Sequence, residues 1–434
     1  MENHMKQVDA FINYLEKATT PIQGVSASIE KLEAAGFTEL KMGDGWKLEF
    51  GDACYIRPYP TTLIAFRVGI TEHTQQGFKI ITSHTDTPGF KVKPNPEMIS
   101  KGYLKLNTEV YCQPMFYSWL DRPLSVAGHV VLKSDSVFKP KIINVDVPYP
   151  LMTIPSLAIH FNREVNKSAS FNPQKEMLPL MTSLKNDLEA ENYLLNILAN
   201  EADCKIEDIL DYDLYVYVQE RGSRIGKDQD LISAPRVDNQ SSVYTSIEAL
   251  IDSEPYKGIS MAACFDNEEI GSATKQGADS MLLLQILERI GISLGKVKDQ
   301  LYRMIDQTFL VSADGAHALH PNYEEKNDPT NLPIINKGIV IKVSARQSYT
   351  TDGISGGIFK GLCEENDVNY QYLVNRSDIL GGKTLGQMVA KYVPIKGVDV
   401  GIPMLGMHSA RELFGEKDFD DLIKVFKCFY GYKE

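Results

Sequence analysis

The chain has 434 residues, more than one domain usually holds, so two domains or one domain with a large insert are expected. Hydrophobic content of 43% and charged content of 24% describe a globular protein, and a formal charge of −12 gives an anionic surface that argues against nucleic acid and anionic membrane as partners. No apolar run approaches the roughly 18 residues of a membrane span, the start MENHMKQVDAFINYLEKA lacks the apolar core of a signal peptide, and the six cysteines are scattered without a CxxC pair, so a cytoplasmic protein with free thiols is expected.

Two amphipathic helices open the chain, since Val8, Phe11, Ile12 and Leu15 share a helical face and Val25, Ile29 and Leu32 repeat that spacing before Gly36. Short alternating runs predict strands over 46–50 and 62–68, and 79–83 reads as a compact strand running into SHTDTPG. From Phe90 to about Asp230 proline-punctuated strand-like runs dominate: 126–133, 141–147 and 213–219, with one helical stretch over 187–199. After Arg236 strand and helix alternate again: helix 241–251, strand 261–265, helix 280–290, strands 309–312 and 338–343, then a closing helix with Phe419, Leu422, Ile423, Phe426, Phe429 and Tyr430 on one face. This pattern predicts a mostly parallel sheet between two helical layers, built from 1–89 and 231–434 and interrupted by a mainly β insert over 90–230.

The chemistry centres on MAACFDNEEIGS. Met261 to Phe265 is apolar enough for a buried strand, which sets Asp266, Asn267, Glu268 and Glu269 at its carboxyl end, where open α/β sheets place their ligands. Crowded carboxylates there call for a cation or a shared proton, whereas the same residues in solvent are an acidic turn. Four further places have the same form: His84 and Asp86 in TSHTDTPG, Asp238 in PRVDNQSS, Asp314 in VSADGAHALHPNY and His408 in GMHSARE. Two histidines and several carboxylates are the ligand set of a pair of divalent transition ions, zinc, manganese or cobalt. His84 and Asp86, two apart on an extended segment, share a face, so Asp86 can hold the ring nitrogen that is turned away from a metal. Taken singly, Asp238 and Asp314 would read as helix-cap or turn residues.

Taken together and in this order, SHTDTPG, RVDN, DNEEIGS, DGAHALHPNY and GMHS resemble the M18 metallo-aminopeptidases, the aspartyl aminopeptidase family, and the resemblance extends through the insert with PSLAIHFNREVN. It implies a three-layer α/β/α metallopeptidase domain with an inserted mainly-β dimerisation domain, dimers assembling into a tetrahedral dodecamer, and peptides as substrates. Asp238 would bridge two ions, most simply Zn2+, with Co2+ or Mn2+ as alternatives. His84 and Asp314 would complete one shell, Glu269 and His408 the other, with Glu268 off the metals as general base and Asp86 supporting the catalytic site. A metal-bridging water would be the nucleophile. His160 in LAIHFNRE would enter the site of a neighbouring subunit to meet substrate, with a metal-ligand role as the alternative. Lys342 and Tyr349 in IKVSARQSYTTD would line a specificity pocket, where the cation would pair with an acidic N-terminal side chain. His317 and His320, beside Asp314, read as wall or hydrogen-bonding residues, His317 on the substrate side; His4, His73 and His129 receive no role. Gly315 stands where several relatives carry a bulkier residue, which bears on substrate preference.

Three competing readings either share this chemistry or dispense with it. A metal-dependent deacylase or carboxypeptidase would need a cationic clamp for a carboxylate, and an aminopeptidase of neutral, leucine-type preference would need no pocket cation. A catalytically silent scaffold would have no use for the ligand set or for Glu268.

Overall fold

The computed structural model describes residues 2–71, 77–186, 190–255 and 257–433, so His73 and the start of the predicted 187–199 helix lie outside the described residues. It divides into two compact units, Met1–Asp86 with Gly222–Met407 and Glu412–Glu434, and Thr87–Arg221 with His408–Arg411. The sequence boundaries at 89/90 and 230/231 compare with breaks at 86/87 and 221/222, and the 408–411 segment belongs to the second unit.

Among the described residues, the first unit holds a nine-stranded sheet. Its spatial order is Thr38–Glu39, Ala53–Tyr59, Thr62–Val68, Ile259–Phe265, Phe78–His84, Phe309–Ala313, Lys396–Gly401, Ile339–Lys342 and Tyr370–Leu373. The central strands Ile259–Phe265, Phe78–His84, Phe309–Ala313 and Lys396–Gly401 pair parallel in succession, so their carboxyl ends share one edge. Antiparallel pairs flank them, Thr62–Val68 on one side and Ile339–Lys342 on the other. Side-chain alternation gives the sheet two covered faces. Ile81, Ala262, Cys264, Val311, Val398 and Ile341 pack with Phe11, Val25, Tyr244 and Phe426 of the helices Glu2–Lys17, Pro21–Ala34, Val237–Ile251 and Glu416–Gly431. Ile80, Met261, Ala263, Phe265 and Leu310 pack oppositely with Ile286, Leu287, Met304 and Val389 of the helices Leu282–Ser293, Lys298–Asp306 and Leu385–Ala390. A layered α/β/α domain results. Among the described residues a smaller five-stranded sheet is formed by Ser223–Ile225, Leu231–Ala234, Glu412–Gly415, Pro403–Leu405 and Ala316–His317.

One sequence expectation fails locally. Residues 46–50 form no strand; Trp46 instead donates its indole N–H to the Lys41 carbonyl at 2.9 Å and stacks under Arg289, whose guanidinium lies 3.7 Å from the ring centre. Alternation there reflects one buried leucine, Leu48, in a loop.

The second unit is built on a six-stranded sheet, among the described residues, in the order Lys141–Asp146, Leu124–Leu132, Ile209–Val218, Gly89–Ser100, Tyr103–Tyr111 and Leu180–Ser183. Every pairing in it is antiparallel. The helix Tyr193–Glu201 buries Leu194 and Leu198 against this sheet's core of Leu106, Val126, Leu214 and Val216.

Candidate active site

The parallel registry of Phe265 with His84 brings two motifs to the same sheet edge, and Ala313 ends its strand next to them, one residue before Asp314. His84 is buried with its Nδ1 facing the Asp86 backbone oxygen at 3.0 Å and the Asp86 Oδ1 at 3.3 Å. Both partners are acceptors, so Nδ1 carries the hydrogen and Nε2 is turned toward the site. There it meets Asp238 Oδ1 and Asp314 Oδ1, each at 3.4 Å. Burial alone would push the His84 proton off, but Asp238, Asp314 and Asp86 outweigh it and hold the imidazole pKa well above the ordinary value.

Asp86 does a second thing. Its Oδ1 accepts the backbone N–H of Glu268 at 3.2 Å and its Oδ2 that of Glu269 at 3.1 Å, so one buried carboxylate fixes the turn that carries both glutamates. The turn begins with Asn267 in the left-handed region at φ 62°, and the Thr274 hydroxyl donates to the Asn267 side-chain oxygen at 2.9 Å. Burial first and the surrounding carboxylates second push Glu268 up to about 8 and Glu269 well above the usual carboxylate range, against the lowering effect of His84. Asp238 lies near the start of the helix Val237–Ile251, with its backbone N–H donated to the buried Glu412 Oε2 at 2.9 Å.

One ligand atom from each of His84, Asp238 and Asp314 can be chosen so that all lie within 4.8 Å of one another, and the same holds for His84, Glu268 and Glu269. Oxygen and imidazole donors converging at this spacing, with their carboxylates repelling one another, suit a divalent transition ion. The residues present therefore fit a metal.

Lys342 ends the strand Ile339–Lys342 with only 3% of its side chain exposed, and its Nζ donates to Asp314 Oδ2 at 2.9 Å. Burial would lower the ammonium's pKa; Asp314 reverses that and raises it, while desolvation of Asp314 is more than offset by Lys342 and His84, which depress its carboxyl strongly. The Lys342 ammonium lies 5.7 Å from the centre of the buried Tyr349 ring. The ion pair of Lys342 with Asp314 was not legible in sequence. His317 is exposed on the short strand Ala316–His317. A Cβ on Gly315 would meet Met404 Sδ at 3.1 Å and Met407 Cε at 3.2 Å, so a bulkier residue here displaces two flexible methionines.

Two expected site residues lie in the second unit. His408 adopts φ 66°, accepts the Met115 N–H on its carbonyl at 3.0 Å, and has Nδ1 at 3.2 Å from the Gln113 carbonyl, which makes Nε2 its other-facing nitrogen. His160 is exposed in a turn-rich loop outside any strand, between Ile159 and Phe161.

A layered α/β/α scaffold with imidazole and carboxylate donors gathered at the carboxyl ends of parallel strands defines a metal-dependent hydrolase. The family described as aminopeptidase I zinc metalloprotease (M18) matches residues 14–430, and the chain belongs to this family of metallo-aminopeptidases. A probable M18 family aminopeptidase 2 of Clostridium novyi (strain NT) is 44% identical over 432 residues, covering 99% of this chain and all of its own length. Among solved structures, a chain of the complex of Ape4 and Nbr1 superposes with a TM-score of 0.95 at 33% identity, covering 99% of this chain and 86% of that one. The S. cerevisiae mApe1 dodecamer gives 0.85 at 25% identity, covering 99% and 97%.

Proposed function

We propose that the chain is a two-ion aminopeptidase that removes acidic N-terminal residues from peptides, with Glu268 as general base. The observation that carries this is the gathering of His84, Asp238 and Asp314 at one sheet edge, with Glu268 and Glu269 beside His84 on a turn whose backbone N–H groups Asp86 holds. In this reading Asp238 would hold both ions, His84 and Asp314 would complete one site, and Glu269 and His408 would complete the other. Two Zn2+ ions, or Co2+ or Mn2+, would supply, when bound, polarisation of the scissile carbonyl and a water of lowered pKa. Glu268 takes one proton as the water oxygen bonds to the carbonyl carbon. It then gives that proton to the leaving amine as the C–N bond breaks, so a free amino acid and a shortened peptide result.

His160 meets substrate in the site of a neighbouring subunit. Support comes from its exposed setting and from the dodecameric state of the S. cerevisiae relative; dimers through the second unit, assembled into a tetrahedral dodecamer, are part of the same proposal for this chain. A cytoplasmic location fits the sequence, and among the described residues no helix is long and apolar enough to cross a membrane.

Acidic preference is supported by a buried cation, Lys342, beside Tyr349. A neutral preference draws on one observation, the commitment of that ammonium to Asp314 Oδ2. Hydrolysis of aspartyl, glutamyl and leucyl chromogenic substrates, with and without chelator and against an N-acetylated control, tests the proposal. Chelator-sensitive release from free amino termini, fastest for the acidic pair, is expected. Cleavage of the blocked substrate would contradict exopeptidase action, and indifference to aspartyl and glutamyl substrates would contradict the acidic pocket alone.

A further inference from the structure

The sheet sets three polar side chains in a row on the face that packs against the helix Leu385–Ala390. Asp399 lies opposite Ser312 in the parallel pairing and opposite Lys342 in the antiparallel one, while Val398 and Ile341 point to the other face. Directly opposed residues in neighbouring strands hold their Cβ atoms about 5 Å apart, so Asp399 and Lys342 are side-by-side charges in a dry layer. Asp399 is buried and tied to its surroundings: its carboxylate accepts the Thr350 N–H and the Thr384 hydroxyl, and its own N–H donates to the Thr351 hydroxyl at 2.9 Å. Ser312 closes the row by accepting the Gly386 N–H at 3.0 Å. These bonds tie down the segment next to Tyr349, while the Lys342 Nζ reaches Asp314 Oδ2.

Asp314 is divided between two partners. Its Oδ2 accepts from Lys342 at 2.9 Å while its Oδ1 lies 3.4 Å from His84 Nε2. We infer that Lys342 is a positioning residue, which seats the outer oxygen of Asp314 so that a single oxygen is presented beside His84 for the metal, with Asp399 as the counter-charge that anchors the lysine. Rotation of the Asp314 carboxylate would break a buried charge-assisted hydrogen bond, and loss of the ammonium would leave Asp314 free to turn away from the carboxylates of Asp238 and Glu268. The inference rests on the metal-site reading above and gives Lys342 a duty toward the ligand itself, separate from any contact with a substrate side chain.

The test is zinc affinity of the full-length protein, stripped and titrated in competition with a fluorescent chelator, without substrate. Lys342→Met is expected to weaken zinc binding at one site by about tenfold to hundredfold, as loss of groups that orient ligands does. Activity at limiting zinc should fall by the same factor on aspartyl and leucyl substrates and recover as zinc is raised. Lys342→Arg, which keeps charge and donor, should restore most of the affinity. Should Lys342→Met not fold, Lys342→Gln carries the same titration, since it keeps a donor and loses the charge. Wild-type zinc affinity in the folded Met or Gln variant would overturn the inference. Failure of the metal-site reading has a different signature, absence of stoichiometric zinc binding in the wild-type protein.

Discussion

At the carboxyl ends of the central strands, charged side chains are packed against one another and against backbone; around His160, apolar side chains stand in solvent. His84 and Asp86 are buried and mutually bonded, whereas Leu157 and Phe161 are 63% and 81% exposed. Each region breaks the usual sorting of residues in the opposite sense. Buried carboxylates in excess of cations leave a charge deficit, which a metal answers. An exposed apolar loop leaves a packing deficit, which a second protein surface answers. The first deficit is local to the ends of three strands and one helix, and the second to one exposed loop of the second unit.

Substitutions can separate these two deficits. The largest effect is expected from Asp238→Ala: if this carboxylate serves both ions, zinc content should fall from two per subunit toward none and hydrolysis should drop to the level of chelated wild type. Retention of one full equivalent of zinc would remove the bridging role. Next comes His160→Ala, which should keep both ions and lose most of its kcat/KM. Mixed with inactive Glu268→Gln subunits in demonstrably mixed dimers, it should regain part of the activity, because some sites then combine an intact Glu268 with the partner copy's intact histidine. No recovery would mean that His160 does not serve a neighbour.

A specificity change should be smaller. If Lys342 also faces the substrate pocket, Lys342→Ala at saturating zinc should lower kcat/KM for aspartyl substrates about tenfold to hundredfold more than for leucyl ones, the scale of a hydrogen bond to a charged group. An unchanged ratio would confine Lys342 to Asp314. Smallest is Phe161→Ser, expected to move the unfolding free energy of an isolated subunit by about 0.5 kcal/mol or less, since the ring packs against little within the chain. Sedimentation should show weakened assembly in the same variant; a large loss of subunit stability with assembly intact would contradict an intersubunit loop.

Legibility in the sequence followed the same division. The apolar run 261–265 declared itself, because burial on both faces favours apolar residues there, while the strand Ile259–Phe265 begins two residues earlier, past the buried Ser260. Lys396–Gly401 did not, since Asp399 and two glycines interrupt its run and its burial pattern emerges only from neighbouring strands. The helix Gly353–Glu365 was hidden by its glycines, although Asp352 caps it by accepting the Ile354 and Ser355 N–H groups. At the site, the motif residues were visible because imidazole and carboxylates at strand ends are chemically conspicuous. Pairings made by topology were not: Lys342 reaches Asp314 because the strand Lys396–Gly401 lies between their two strands, and His408 is held by Gln113, 295 positions away.

The division of labour between Glu268 and Glu269 is the centre of the account, and zinc content measured beside turnover in Glu268→Gln tests it most directly. Two zinc ions per subunit with turnover reduced about 10²-fold to 10⁴-fold, the span of general-base contributions, is the result expected of a base that binds no metal. Loss of zinc in proportion to activity would make Glu268 a ligand and contradict the assignment.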